Sequence, residues 1–256
     1  MTCTTFVGEI MKIRKFLKIT GFGLLAFLVV SILGLVIWSA AGTYPAGQTA
    51  AAALEPSDTV TVSQGEWIVF APEEETDTGL VFYPGGLVAP EAYAPVLRQL
   101  AEQGVLVVLT PMPLNLAIFN TGAADAVIEA NPEISNWVLA GHSLGGAAAS
   151  IYAIQQSGKL DGLALWDSYP PDSADLSGSG LAVLSIYGTT DGVPNTDGFD
   201  SKRHLLPADA VFVPIEGASH AQFGDYGPQK GDVTPSIRAA EQHDLVTAAM
   251  LAFIDQ

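Results

Sequence analysis

Three side chains of this sequence have the chemistry for nucleophilic catalysis, and their order along the chain suits it. Ser143 follows the apolar run 137–140, Asp191 follows the run 181–187, and His220 follows the run 210–214. A serine hydroxyl needs a base to take its proton, and the base needs a carboxylate to orient it. We therefore predict that Ser143 attacks the substrate, His220 moves the proton and Asp191 orients His220.

The residues around Ser143 form the pattern Gly-x-Ser-x-Gly, from Gly141 to Gly145. This pattern is typical of a serine on a sharp turn between a strand and a helix. The positions two before and two after the serine must be nearly free of side chains, which explains the glycines. Gly146 and the alanines after it would let the helix pack close beneath the strand. The pattern therefore predicts a strand, a tight turn and a helix.

A serine nucleophile also needs hydrogen-bond donors for the oxyanion of its tetrahedral intermediate. The backbone N–H of Leu144, directly after the nucleophile, is one predicted donor. The other should come from the loop that follows the strand 80–83. That loop reads Pro-Gly-Gly-Leu, and we expect Gly86 to be the donor, with Leu87 as the alternative.

Other residues compete for these roles. Asp167 also follows a predicted strand, over 162–166, and could hold the histidine instead of Asp191. His142 adjoins the nucleophile, but its side chain should point away from the site and serve in packing. His204 is expected to be solvent-facing, and His243, on a predicted helix, to be either structural or exposed. The four histidines show no ligand pair at helical spacing, so we expect neither a metal nor a cofactor.

Strands and helices alternate along most of the chain. Apolar strands are predicted over 59–62, 66–70, 80–83, 105–109, 137–140, 162–166, 181–187 and 210–214. Helices are predicted over 93–101 and 123–130, after the serine, and over 239–254. The last helix should place Leu245, Val246, Ala249 and Ala252 on its inner face. Such alternation implies a mainly parallel sheet with helices on both faces, preceded by an antiparallel hairpin.

With these motifs in order, the chain from about residue 80 onwards resembles the α/β-hydrolase superfamily. It is similar to compact bacterial members of the dienelactone hydrolase and platelet-activating-factor acetylhydrolase type. The resemblance implies an α/β-hydrolase fold and hydrolysis of a carboxylic ester through an acyl-enzyme. Two departures stand out: Pro84-Gly85 replaces the usual His-Gly of the oxyanion loop, and the nucleophile is Ser143 rather than a cysteine. An acyltransferase, a peptidase and a non-catalytic surface-tethered binding protein remain alternatives.

The predicted substrate is a small-molecule ester. Only 48 positions separate Ser143 from Asp191, which leaves no room for a large lid domain and predicts an open site. Leu87 and Trp166, with Tyr169 and the loop 112–116, should line an apolar pocket suited to an acyl or alkyl group. Ordinary core packing is the alternative for each of these residues.

The N-terminus has the signature of a membrane segment. Residues 1–18 carry Lys12, Arg14, Lys15 and Lys18, and residues 19–41 are almost wholly apolar. These 23 residues are enough to span a bilayer, and the basic flank predicts a cytoplasmic N-terminus with the remainder outside. Cleavage near Ala41, giving a secreted protein, is the alternative, and either Met1 or Met11 could be the start. Residues 42–58 should form a flexible linker, and 59–256 the hydrolase domain.

The net negative charge of the chain argues against some classes of binding partner. Beyond residue 18 the chain has 6 basic and 26 acidic residues, which argues against binding nucleic acid or anionic lipid headgroups. Cys3 is the single cysteine, so no disulfide forms within the chain. The sequence leaves the oligomeric state open.

Overall fold

The computed structural model describes residues 3–193 and 200–256 and divides into two units, Met1–Gly42 and Thr43–Gln256. The first unit is helix α1, Cys3–Gly42. Within it, Thr20–Gly42 has a mean hydropathy of 2.5 over 23 residues, so it is long and apolar enough to cross a membrane. The apolar N-terminal helix expected from the sequence is therefore present.

The second unit is built on one sheet of eight strands in the order β1-β2-β4-β3-β5-β6-β7-β8. The strands are β1 Val60–Gln64, β2 Ile68–Pro72, β3 Thr78–Tyr83, β4 Leu106–Leu109, β5 Asn136–His142, β6 Gly162–Trp166, β7 Ala182–Gly188 and β8 Val211–Ile215. Strands β1 and β2 form an antiparallel hairpin, and β2 pairs antiparallel with β4. All pairings from β4 to β8 are parallel. The predicted mainly parallel sheet with an antiparallel edge is confirmed.

Helices cover both faces of this sheet. They are α2 Gln48–Ala53, α3 Ala94–Ala101, α4 Ala123–Ala130, α5 Leu144–Gln156 and α6 Ala239–Ile254. Side chains of β3 alternate between two apolar cores: Phe82 packs with residues of α3 and α6, and Val81 packs with residues of α4 and α5. This burial on both faces is the reason why β3 has no polar alternation in the sequence.

Helix α6 turns a different side to the core from the one that the sequence suggested. Val246, Met250 and Phe253 are buried, whereas Leu245 is 45% exposed. Ala252 is exposed as well. Neighbouring residues on a helix are about 100° apart, so a small error in the inward direction exchanges Leu245 for its neighbours.

Residues 43–54 are also different from the flexible linker that we expected. Tyr44 forms a parallel β-bridge with Val88, and Gln48–Ala53 is the helix α2. The guanidinium of Arg98 donates to the carbonyl oxygens of Ala53 and Glu55. The composition rich in alanine and glycine correctly indicates few anchoring side chains, but backbone hydrogen bonds hold the segment against the domain.

The loops that matter for function all leave the same edge of the sheet. In a parallel sheet, the carboxyl ends of neighbouring strands lie at one edge. Strand β3 leads there into the Pro84–Val88 loop, β5 into Ser143, β6 into Asp167 and β7 into Asp191. Every residue of the predicted site therefore follows a strand that ends at this edge.

Candidate active site

Ser143 has a strained backbone, with φ at 52° and ψ at −122°. The turn is possible only because its glycines allow very close backbone contacts. A Cβ on Gly145 would lie 2.1 Å from the carbonyl oxygen of Tyr83, and one on Gly141 would lie 2.5 Å from the carbonyl carbon of Gly145. The N–H of Ser143 donates to the carbonyl of Trp166 at 3.0 Å, which ties the turn to β6. The sharp turn between strand and helix is thus present, and it holds the serine rigidly.

His220 lies against the two carboxyl groups that the sequence put forward. Its Nδ1 is 2.8 Å from Oδ2 of Asp191 and 3.8 Å from Oδ2 of Asp167. Its Nε2 is buried and has no hydrogen-bond partner among the described residues. Asp191 is therefore the residue that makes the short contact, and the opposite ring nitrogen is left able to take a proton.

Asp167 is the more deeply buried of the two acids, and its backbone has φ at 43°. Burial, reinforced by the neighbouring Asp191, raises the pKa of Asp167 well above its usual range. Its Oδ2 also accepts a long hydrogen bond of 3.4 Å from the N–H of Gly188. The protonated form of Asp167 is therefore favoured, and Asp191 is the acid that makes the short contact with the histidine.

The pKa of His220 reflects opposing influences. Burial lowers it, but hydrogen bonds and charge from Asp167 and Asp191 raise it more, to about 9. His142, whose ring centre is 4.4 Å from that of His220, has a pKa well below its usual range because it is buried. The two imidazoles, tilted at 45° to each other, thus have opposite preferences: burial favours the neutral form of His142, and the nearby acids favour the protonated form of His220.

Hydrogen bonds that the sequence analysis missed fix the backbone of the histidine loop. The carboxylate of Asp232 accepts from the N–H of His220 at 3.2 Å and from that of Ala221 at 2.8 Å. The side-chain amide of Gln242 accepts from the N–H of Ser219 at 3.1 Å and donates to its carbonyl at 3.0 Å. The one available signal was Gln242 itself, a polar residue beside the apolar face of α6.

The hydrogen bonds of the oxyanion loop show which of Gly86 and Leu87 has a backbone N–H that is still available. The N–H of Leu87 donates to the carbonyl of Asn115 at 2.8 Å, so it is already used. The N–H groups of Gly86 and Leu144 have no acceptor in the part of the chain that the structure describes. Gly86 adjoins Leu144 closely, since a Cβ built on it would lie 3.0 Å from Cδ2 of Leu144. This arrangement favours Gly86 over Leu87.

A buried tyrosine supports this loop, and sequence reasoning did not find it. The hydroxyl of Tyr93 accepts from the N–H of Gly85 at 2.9 Å and lies 2.8 Å from Nδ1 of His142. Because the hydroxyl accepts from Gly85, its proton is left to donate to His142. Burial holds the pKa of Tyr93 above its ordinary value, so this donor stays protonated. His142 is thus buried as the packing residue that we expected, but its ring lies against His220 rather than pointing away from the site, and through Tyr93 it supports the oxyanion loop.

A cavity of about 240 Å³ opens beside Ser143. Its lining comprises Ser143, Leu144, Ala147, Asp167, Ser168, Tyr169 and Val193. Tyr169 was expected there. Trp166 was expected as well, but it is fully buried and donates from Nε1 to Sδ of Met250 at 3.3 Å. Trp166 packs on Phe82 as an ordinary core residue, and Leu87 does not line this cavity. Both substrate-binding assignments therefore need correction.

One cluster of metal-ligating side chains occurs among the described residues, namely Asp167, Asp191 and His220, with ligand atoms within 4.8 Å of one another. Within this cluster, Nδ1 of His220 and Oδ2 of Asp191 make the 2.8 Å hydrogen bond described above.

A strained serine on a strand–turn–helix elbow, followed by an acid and a histidine at the same edge of a parallel sheet, defines a hydrolase of the α/β type. The chain belongs to the alpha/beta hydrolase family, because the model of that family matches residues 79–244.

Solved structures agree on the fold. Est1E from Butyrivibrio proteoclasticus, solved with ferulic acid bound, has a TM-score of 0.58 at 13% identity, over 78% of this chain and 98% of its own. MGS-MChE2, an alpha/beta hydrolase enzyme from the metagenome of lagoon sediments at Mar Chica, Morocco, has a TM-score of 0.56 at 17% identity, over 78% and 100%. TT1662 from Thermus thermophilus has a TM-score of 0.54 at 14% identity, over 77% and 99%. No curated protein sequence matches the chain. At these identities the structures show a shared fold and leave the substrate open.

Proposed function

We propose that this protein is a serine hydrolase that cleaves carboxylic esters through an acyl-enzyme. The observation that carries the proposal is the 2.8 Å contact between Nδ1 of His220 and Asp191, on the same sheet edge as the strained Ser143. A serine in that backbone conformation is costly to keep, so its presence at the same sheet edge as an acid–histidine pair supports catalysis.

The proposed reaction has two halves. Oγ of Ser143 attacks the ester carbonyl while Nε2 of His220 takes the hydroxyl proton, and Asp191 stabilises the imidazolium through Nδ1. The N–H groups of Gly86 and Leu144 donate to the oxyanion. His220 then gives its proton to the leaving alcohol. A water molecule cleaves the acyl-enzyme by the reverse proton path, releasing the acid and restoring Ser143. No cofactor takes part in this proposed route.

The cavity favours a small acyl group. Its volume of about 240 Å³ is below the range of drug-sized pockets, and Leu144, Ala147 and Val193 give it an apolar side. The likeness to enzymes of the dienelactone hydrolase and platelet-activating-factor acetylhydrolase type stays a prediction of the sequence. That likeness is consistent with a small ester-binding cavity and a serine nucleophile.

For location, we propose that Thr20–Gly42 is kept as a membrane anchor with the hydrolase unit outside the cytoplasm. The segment exceeds the apolar length of a usual signal peptide, and Lys12, Arg14, Lys15 and Lys18 precede it. Cleavage near Ala41, which would release a secreted enzyme, is the alternative.

A fluorophosphonate probe tests the proposed nucleophile. The folded protein should be labelled on Ser143 and should hydrolyse short p-nitrophenyl esters, whereas Ser143→Ala should lose both properties. Ser177→Ala is the matched control, because Ser177 is exposed on the loop between β6 and β7 and should keep both.

Absence of both labelling and hydrolysis in the folded wild type would contradict the proposal and favour a non-catalytic binding protein. Products formed with competing alcohols or peptides would separate a hydrolase from an acyltransferase or a peptidase.

A further inference from the structure

The segment that follows the apolar helix is built into the proposed site. The N–H of Tyr44 donates to the carbonyl of Leu87 at 2.8 Å, and the N–H of Ala89 donates to the carbonyl of Tyr44 at 3.0 Å. A few residues on, the N–H of Gly47 donates to the carbonyl of Asp225 at 2.6 Å. The segment therefore joins the oxyanion loop to the loop that carries the histidine.

Thr43, the first residue of this segment, also contacts the loop that follows strand β4. Nδ2 of Asn115 donates to Oγ1 of Thr43 at 2.9 Å. Thr43 comes directly after Gly42, the last residue of the apolar helix. Along the chain, therefore, only Thr43 separates the end of the apolar helix from a contact with the loop that holds Asn115.

That loop presents apolar side chains to the exterior. Ile118 is 47% exposed and Phe119 is 56% exposed. They begin two residues after Leu116, whose Cδ2 would lie 3.6 Å from a Cβ on Gly86. Within the part of unit Thr43–Gln256 that the structure describes, they are the only two consecutive large hydrophobic residues that are exposed. We call Ile118 and Phe119 the apolar rim.

Charge is absent from the chain segments around this rim. The ranges 42–54, 78–90 and 103–124 contain no Asp, Glu, Lys or Arg, although the chain beyond residue 18 has 26 acidic and 6 basic residues. Bringing a charged face to a low-dielectric phase is costly, whereas a neutral face with exposed Ile and Phe gains from it. The face around the oxyanion loop is therefore the one best suited to meet a lipid surface.

We propose that the apolar rim inserts into the bilayer that holds the N-terminal helix, and that the enzyme takes its substrate from that bilayer. The substrate class is then an uncharged or zwitterionic amphiphile whose ester bond lies near the membrane surface. This inference rests on the serine hydrolase function proposed above. The reaction is ordinary hydrolysis: water adds across the ester bond, giving the carboxylic acid and the alcohol.

The lipid that fits is zwitterionic. The acidic domain is repelled by anionic headgroups, so the rim enters the membrane through its apolar side chains and without help from lipid charge. Phosphatidylcholine vesicles are therefore the probe surface for the experiments.

Depth of insertion tests the contact directly. Cys3 is the single cysteine, so Cys3→Ser gives a background in which Phe119→Cys can carry one environment-sensitive fluorophore. In the full chain reconstituted into phosphatidylcholine vesicles with spin-labelled lipids, the label at position 119 should shift to the blue and be quenched. Leu245→Cys is the matched control: Leu245 is 45% exposed on α6, and its label should stay unquenched.

Quenching at position 119 no greater than at 245 would overturn the proposal. A blue shift without lipid quenching, lost when the protein is diluted in the vesicles, would overturn it as well, since the rim would then pack against a second copy of the chain.

Kinetics test the source of the substrate. For the full chain, the rate on an ester lipid embedded in the vesicles is divided by the rate on soluble p-nitrophenyl acetate. In the double variant Ile118→Ser/Phe119→Ser this ratio should fall about ten-fold, as lost burial of two large apolar side chains implies. Leu245→Ser should keep the wild-type ratio.

The soluble ester tests the proposed hydrolase function, and the ratio of the two rates tests the membrane-facing entrance. If the wild type fails to cleave the soluble ester, the proposed function itself fails. If it cleaves the soluble ester but the double variant keeps the wild-type ratio, the serine hydrolase stands and the membrane-facing entrance is wrong. Thermal unfolding of each variant in detergent should match the wild type, because Ile118, Phe119 and Leu245 are exposed.

Discussion

At the scale of single residues, the most unusual feature is the pair of acids at one histidine. Asp191 makes the 2.8 Å contact with Nδ1 of His220, and Asp167 stands at 3.8 Å. Two carboxylates this close resist ionising together, and burial decides which one keeps its proton. Asp167, the more buried, is the one whose pKa is raised.

The acid pair leads to a prediction about substitution. Losing the triad acid costs about 10⁴-fold in kcat in a site where nothing replaces it. In Asp191→Asn, burial still raises the pKa of Asp167, but the contribution of Asp191 is gone and His220 lowers that pKa, so Asp167 ionises more readily and can orient His220. We expect a loss of about 10²-fold in this variant, with the rest of the loss appearing only in Asp167→Asn/Asp191→Asn.

The measurement is kcat on a p-nitrophenyl ester, with Asp167→Asn alone as the control that stays near the wild type. Equal kcat values in Asp191→Asn and the double variant would show that Asp167 gives no support.

A second residue-scale prediction concerns pH. The attacking step needs His220 unprotonated, and the acids raise its pKa from 6.5 to about 9. The acid limb of kcat/KM should therefore have its midpoint above 6.5, and activity should rise into the alkaline range. Asp191 is one of the groups that raise the pKa of His220, so Asp191→Asn should move this limb to lower pH. A limb that stays at its wild-type position in Asp191→Asn would contradict the electrostatic role of that carboxylate.

At the scale of elements, the strand–turn–helix elbow requires residues without a Cβ atom. Gly145 lies where a Cβ would be 2.1 Å from a carbonyl oxygen at the end of β3, so α5 can begin there only without a side chain. The small residues of α5 bring it against the sheet, and that contact sets the position of Ser143. The sequence pattern indicated this requirement, and the structure shows which backbone atom imposes it.

Gly145→Ala should therefore destabilise the fold by about 2–3 kcal/mol, because rigid backbone must move to admit the methyl group. Urea unfolding followed by circular dichroism measures this change. Gly158→Ala is the matched control: a Cβ there meets nothing within 4 Å, so its stability should stay close to that of the wild type. Equal stabilities of the two variants would contradict the packing account.

At the scale of the whole molecule, the segment after the apolar helix is part of the catalytic unit. The contacts of Tyr44 with the oxyanion loop and of Gly47 with the histidine loop show that residues 43–47 belong to the domain. An enzyme released by cleavage near Ala41 would keep these contacts, so they do not decide between an anchored and a secreted form.

Fractionation of producing cells tests the anchor. If Thr20–Gly42 is retained, the protein should stay in the membrane pellet after washing with alkaline carbonate, with its full mass. Protease added from outside should then digest the hydrolase unit. Recovery of a soluble form that begins near Gly42 would establish cleavage instead. Replacing Leu28 with Arg gives a control, since a charge in the middle of the span should weaken retention.

The sequence by itself determined the alternation of strands and helices, the elbow around Ser143 and the two acids that compete for His220. These features depend on local rules, because buried parallel strands are continuously apolar and the elbow needs its glycines in fixed places. The helix 123–130 and the last helix also have the bounds that were predicted.

Only the tertiary structure decided contacts between distant parts of the chain. Trp166 became a core residue rather than a pocket residue because its ring packs on Phe82, a contact that no local pattern records. The N–H of Leu87 donates to the carbonyl of Asn115, which favours Gly86 over Leu87 as the proposed oxyanion donor. Residues 43–54 looked like a linker because their composition is typical of one, but Ala50 is buried, Tyr44 and Leu54 pack against the core, and backbone hydrogen bonds add to this hold.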